Sequence, residues 1–187
     1  GAGLGGIEPF LVTVETDVQR GIPKFDIVGL AQSSVQEGKN RILSALRASG
    51  IHWGPKRVTV NLAPASIRKE GAAFDLTIAL GLAVALEQIP NDALDGYVAL
   101  GELSLDGSLR PIRGAFVYAD FVKREGFKGL ILPHASAEEA VLVDGITLLA
   151  PLTLAELIGS LRRGGGHAFS RQPVKSCEEP FLVDWSE

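Results

Sequence analysis

Between Phe10 and Val14, and again between Lys24 and Leu30, apolar residues alternate with polar ones or form short β-branched runs, and the turn formers of Arg20-Gly21-Ile22-Pro23 lie between them. This pattern predicts a β-hairpin. The period then changes. Val35, Ile42, Ala45 and Leu46 fall on one helical face, Ser34 and Glu37 have capping-box spacing, and Gly50 stands where a terminating glycine belongs, which predicts a helix from about Val35 to Ser49. Arg57–Leu62 returns to period two as a strand. Phe74–Gln88 is apolar on nearly every face and too long for a strand, so a helix buried at the centre of the fold is expected.

Beyond Pro90, Tyr97–Leu103 reads as a strand, Asp106-Gly107 as a tight hairpin turn and Leu109–Ile112 as the return strand. Alternating elements follow: a helix near Gly114–Glu125, a strand Gly129–Leu132, a short helix from Ser136, a strand Ile146–Leu149 and a helix Thr153–Leu161. Hairpins with helices early and β–α alternation late predict an α+β two-layer domain over residues 1–163. Arg162-Arg163-Gly164-Gly165-Gly166 interrupts the pattern, and residues 164–187 read as a linker whose Phe181, Leu182 and Trp185 are the side chains able to dock it.

Composition supports a packed core. Of 187 residues, 46% are hydrophobic and 21% charged, which excludes a disordered acidic chain and a coiled-coil fibre. The longest uncharged apolar stretch, Leu76–Leu86, is far short of the roughly 18 residues of a membrane span, so a soluble protein is expected. A lone cysteine, Cys177, can form neither an internal disulfide nor a zinc cage and agrees with a reducing compartment, the cytoplasm. The net charge of −4 is unevenly spread. Residues 1–70 carry +3 and residues 71–187 carry −7, which leaves a basic amino-terminal half able to meet phosphates.

Several chemical signals have simple readings. Gly1-Ala2-Gly3-Leu4-Gly5-Gly6 matches a dinucleotide pattern, but no strand precedes it and no helix is predicted after it. Gly38-Lys39 lies inside a predicted helix and precedes Asn40, so it is not a phosphate loop. His52, His134 and His167 stand in separate loops without a second ligand at helical spacing, and no metal site is expected. Asp75, Glu102 and Asp106 could line a polar cleft; a carboxylate beside a buried helix more often caps it or pairs with an arginine such as Arg68.

Two segments combine unusual sequence with a definite place in the fold: Asn61-Leu62-Ala63-Pro64-Ala65-Ser66-Ile67-Arg68-Lys69-Glu70-Gly71-Ala72-Ala73-Phe74-Asp75, and Gly101-Glu102 through Pro111-Ile112 to Phe116. Both resemble signature stretches of the Lon-type proteolytic domain, in which a serine precedes the helix and a lysine follows the Pro-Ile step. In such a dyad a poorly solvated lysine loses its proton easily and activates the serine hydroxyl. Here the aligned positions hold Ala73 and Phe116, a methyl and a benzyl group. A wider resemblance runs from GLGGIEPF through VNLAPASIRKEGAAFDL to GELSLDGSLRPIRGA and is to the amino-terminal domain of the ComM/YifB family of magnesium-chelatase-like AAA+ ATPases.

That resemblance implies a Lon-like, GHMP-kinase-like two-layer fold without catalysis of its own. It also implies a neighbouring AAA+ module supplying the ATP and Mg sites, a hexamer in which this domain meets its own ATPase and adjacent subunits, and a role in DNA processing during transformation, as branch migration. No cofactor is expected in residues 1–187 themselves. Two alternatives remain. One is a serine–lysine peptidase with a displaced dyad, Ser66 or Ser104 with Lys69 or Lys123. The other is a DNA-contacting module using Lys39, Arg41, Arg47, Lys56, Arg57, Arg68 and Lys69, provided Asp26, Glu37 and Glu70 do not break the patch.

Overall fold

The structure, a computed structural model, describes residues 1–6, 8–164 and 168–169. It opens with two antiparallel strands, β1 (Ala2–Gly5) and β2 (Glu8–Leu11), Ala2 opposite Leu11. The glycine-rich start is therefore an extended strand, which the sequence pattern did not predict.

Strands β3 (Thr13–Arg20), β4 (Lys24–Val28) and β5 (Lys56–Ala63) form one mixed sheet in the order β3-β5-β4. β5 runs antiparallel to β3 and parallel to β4. The expected hairpin is thus corrected: the turn at residues 21–23 exists, but it spans the width of an intervening strand, about 10 Å at two strand spacings. Burial explains the insertion. Val58, Val60 and Leu62 of β5 all face the core, so this strand takes the central place where both edges are paired, while Arg57, Thr59 and Asn61 alternate outward.

Helix α1 (Ser33–Ala48) forms where predicted, and its end is a glycine-stopped one: Gly50 at φ +79° lets Ile51 N–H reach Leu46 O at 2.9 Å and Gly50 N–H reach Arg47 O at 3.0 Å. Its start differs from the capping-box expectation. Gln32 is the N-cap, and Ser34 Oγ instead accepts from Gly71 N–H at 3.0 Å, tying the helix to the loop before the central helix. That central helix, α2 (Asp75–Ala85), is buried along almost its whole length, as its sequence demanded.

The second half is built on a parallel sheet. β6 (Tyr97–Ala99), β9 (Gly129–Ile131) and β10 (Thr147–Leu149) align in the order β10-β9-β6. Between them come the small hairpin of β7 (Glu102–Leu103) and β8 (Leu109–Arg110), then α3 (Ala115–Arg124) and α4 (Ala137–Ala140), and α5 (Leu154–Arg162) closes the fold. The strand expected over Tyr97–Leu103 is broken because Gly101 exchanges hydrogen bonds with the segment leading into α2: its N–H donates to Ala73 O at 2.8 Å and its carbonyl accepts from Leu76 N–H at 2.9 Å.

Both faces of the parallel sheet are covered. Ala99, Ile131 and Leu149 join the core formed by α1, α2, α5 and the inner face of β5, whereas Val98, Leu130 and Leu148 join a second core under α3 and α4. The architecture is mixed α/β with several small sheets, and no helix among the described residues is long and apolar enough to cross a membrane.

Candidate functional site

Three segments converge where β4 ends. Gly29 has φ +94°, and a Cβ there would run into the carbonyl of Leu62 on β5, so only glycine lets the chain pass. The chain then pairs with the loop after β5: Lys69 N–H donates to Leu30 O at 3.2 Å and Gln32 N–H to Lys69 O at 3.0 Å. The Lys69 side chain is fully buried beneath this crossing, and its ammonium donates to Gly29 O at 3.0 Å and to Pro64 O. Its partners are dipoles rather than a carboxylate. Burial accordingly pushes its pKa below the usual lysine value.

Six residues later in the sequence, at the start of α2, stands Asp75, 1% exposed. Arg41 of α1 binds it in a fork, Nε to Oδ2 at 2.8 Å and Nη2 to Oδ1 at 3.3 Å, and Leu103 N–H of β7 adds a contact at 3.4 Å. Gly38 makes the approach possible, since a Cβ there would stand 2.5 Å from Asp75 Oδ1. Burial raises the Asp75 pKa and outweighs the opposing pull of Arg41, while the bond to Asp75 raises that of Arg41. The pair joins α1, α2 and β7 at one point. Asp75 was expected to cap the helix or pair with Arg68; its partner is Arg41, and Arg68 is exposed.

Ala73 and Phe116 occupy the positions where the sequence comparison sought a dyad. Ala73 is half-buried against the second core, next to the Gly101 crossing. Phe116 lies in the first turn of α3 with 43% of its surface exposed, and its N–H donates to Glu139 Oε1 at 3.1 Å. Neither side chain can attack a carbonyl or take a proton. Two of the displaced candidates make other contacts. Lys69 gives its protons to backbone carbonyls and not to the exposed Ser66, and Ser104 Oγ accepts from Arg110 Nε at 2.8 Å, a group that stays protonated. Lys123 is exposed on the last turn of α3.

The seven residues proposed to contact DNA do not form one face. Lys69 is buried and Arg41 is committed to Asp75, so both are corrected from surface cations to structural ones. Arg68 lies in the loop that crosses the end of β4 and Lys39 is half-buried in the middle of α1, whereas Arg47, Lys56 and Arg57 lie at the opposite end of the sheet, where register adds Arg20 opposite Lys56 and Lys24 opposite Arg57. Sequence reading missed Arg20 and Lys24; their position in the turn between two basic strand ends was the available signal. Of the acidic trio, Glu102 is half-buried on β7, and Asp106 turns back on its own hairpin, accepting from Ser108 N–H at 3.0 Å and Ser108 Oγ at 2.7 Å.

His52 and His134 stand apart, and among the described residues no group of three or more His, Cys, Asp or Glu could hold a metal. Gly38-Lys39 lies in the middle of α1, so these residues do not fit the phosphates of ATP. His167, Cys177, Phe181, Leu182 and Trp185 lie outside the described residues.

The family described as subunit ChlI of Mg-chelatase matches residues 14–136, a span that contains both the Lys69 crossing and the Arg41–Asp75 pair. The chain is 36% identical to YifB of Escherichia coli K12 over 97% of its own length and 36% of YifB. It is 38% identical to the competence protein ComM of Haemophilus influenzae over 82% of its length and 30% of ComM. Lon protease 2 of Bacillus subtilis is 30% identical over 71% of this chain and 23% of the protease. The chain spans about a third of the length of the YifB and ComM relatives it matches.

Proposed function

Because the chain belongs to the magnesium-chelatase-like family that includes YifB and ComM, we propose that residues 1–163 form a Lon-like, GHMP-kinase-like accessory domain without peptidase activity. In this reading residues 164–187 lead to an AAA+ module in the whole protein, which binds ATP and Mg, assembles as a hexamer in the cytoplasm and migrates branched DNA during transformation. The observation that carries it is the pair of apolar side chains, Ala73 and Phe116, inside a segment similar to a Lon protease. The elements that would hold a dyad persist, while the groups that would use it are replaced by groups that can only pack.

The apolar substitution also suggests what the domain does instead. Phe116 and its neighbour Val117 leave an exposed hydrophobic surface at the start of α3, suited to docking on the ATPase module or an adjacent subunit. Incubation of the chain with unfolded casein and a fluorogenic peptide is expected to give no turnover. Turnover that disappears in Ser66→Ala would overturn the reading. Removing residues 1–163 from the whole protein is expected to alter its oligomer size or ATPase rate, and a truncated protein unchanged in both would remove the accessory role.

A further inference from the structure

Two recesses meet at the end of the β3-β5-β4 sheet. One is lined by Arg20, Gly21, Gly54, Pro55 and Lys56. The other is lined by Pro23, Arg47, His52 and Trp53 and shares Gly54 and Pro55 with the first, so the two adjoin there and are together called the groove. Gly21 N–H donates to Pro55 O at 3.4 Å, tying its two walls. No carboxylate lines either part.

What sets the cations here apart is that they are gathered at one end of a sheet. Lys24 is matched with Asp26 at 2.8 Å, but among the described residues Arg20, Arg47, Lys56 and Arg57 have no carboxylate within 4.0 Å. Such a cluster repels itself in the free protein and attracts a polyanion. Its borders are set by register: Asp17 and Asp26 both stand beside Thr59, one outward position beyond Arg57, and Glu15 stands beside Asn61. The positive region therefore ends on the sheet's outer face and continues only over the turns.

The groove also offers rings. Trp53 is half-buried against the core and His52 exposed, while Gly21 and Gly54 present no side chain. A row of cations beside aromatic faces is the combination by which proteins hold unpaired strands, phosphates on the charges and bases against the rings. A duplex keeps its bases stacked on each other and would leave the rings unused, and an acidic peptide would not need them. We infer that this groove binds single-stranded nucleic acid, with Arg20, Arg47 and Lys56 on phosphates and Trp53 and His52 facing bases. The assignment rests on the proposal that the whole protein works on DNA, and it names the strand form that this domain contacts.

The test uses the 187-residue chain and a fluorescent oligothymidine, followed by anisotropy as salt is raised. Three phosphate contacts on a single strand give a log–log salt slope of about −2. Arg20→Ala/Arg47→Ala/Lys56→Ala is expected to lower affinity at least tenfold at low salt and to flatten the slope. Lys39→Ala/Arg68→Ala removes a half-buried and an exposed cation that line neither recess and is expected to leave both unchanged, with circular dichroism confirming that each variant folds. Failure of the parent chain to bind at low salt overturns the inference, as does a triple variant that binds normally or a control that loses as much. Stronger competition by a duplex or by polyglutamate than by unlabelled oligothymidine also overturns it. A whole protein that still migrates branches with a dispensable groove refutes this inference alone, whereas loss of the ATPase and DNA activities from the parent protein refutes the functional reading.

Discussion

Two buried ionic side chains define the candidate site, and their opposite pKa directions give different pH signatures. Asp75 has a pKa raised by burial above its ordinary 3.8, so its contribution to stability is full below that value and falls as pH rises through the raised one. Arg41→Met removes the charge that opposes this rise and leaves a nearly inaccessible carboxylate unpaired. The expected cost is about 3 kcal/mol at neutral pH, and because the Asp75 pKa climbs further in the variant, the gap to the parent widens between pH 4 and 7. Urea unfolding at both pH values measures it; a gap that stays constant would show that Asp75 does not titrate as assigned. Lys69 behaves in the opposite sense. Its pKa is lowered from 10.5, so its contribution is fully present only above that value and is lost as pH falls through the lowered one. Lys69→Met strips the donor from Gly29 O and Pro64 O at a net cost of about 2 kcal/mol, and its deficit should grow from pH 7 toward pH 10.

At the scale of elements, α1 and α2 meet through a contact that an ordinary helix would lack. Alanine is the better helix former by about 1 kcal/mol, so Gly38→Ala in an unconstrained helix would stabilise. Here the new methyl would press on Asp75 Oδ1, and the expectation is a net loss of about 2 kcal/mol in chemical unfolding. Added to Arg41→Met, the same substitution should cost less, since the fork it disturbs is already gone. The elements themselves were largely legible in the sequence: the all-round apolar run of α2, the one-sided face of α1 and the alternation of β5 each report a local burial pattern. What stayed hidden was pairing. Nothing local distinguishes a turn that closes a hairpin from one that crosses a strand 30 residues later in sequence, and the glycine-rich β1 has no period to read. The Ser34 hydroxyl likewise answered to Gly71 rather than to its own helix. The chemical site was legible in part. Ala73 and Phe116 declare by residue type that these two positions hold neither a hydroxyl nor an amine, whereas Arg41, 34 residues from Asp75, and the fully buried Lys69 in a polar loop carry no local sign of their roles.

The molecule as a whole has two apolar clusters, and whether they act as one unit depends on the parallel sheet between them. Successive residues of each strand alternate between the clusters, so Leu130 and Ile131 of β9 sit in different cores while sharing one backbone ladder. Separating the cores would break that ladder and expose both faces at once, a cost far larger than the sub-global openings that a linker-joined pair of domains allows. The first half adds to the coupling, because α1, α2 and α5 share one cluster although they are distant in sequence. We therefore expect a single cooperative unfolding transition for the described core. Leu130→Ala and Ile131→Ala should each lower stability by about 2–5 kcal/mol and move that one transition without splitting it. Far-ultraviolet circular dichroism reports the helices of both halves, and hydrogen exchange reports β6, β9 and β10 separately. Coincident midpoints in both variants support one unit. A variant in which the amides around α3 and α4 exchange early while α2 stays protected would show instead that the second core unfolds on its own, and the described core would then be two modules.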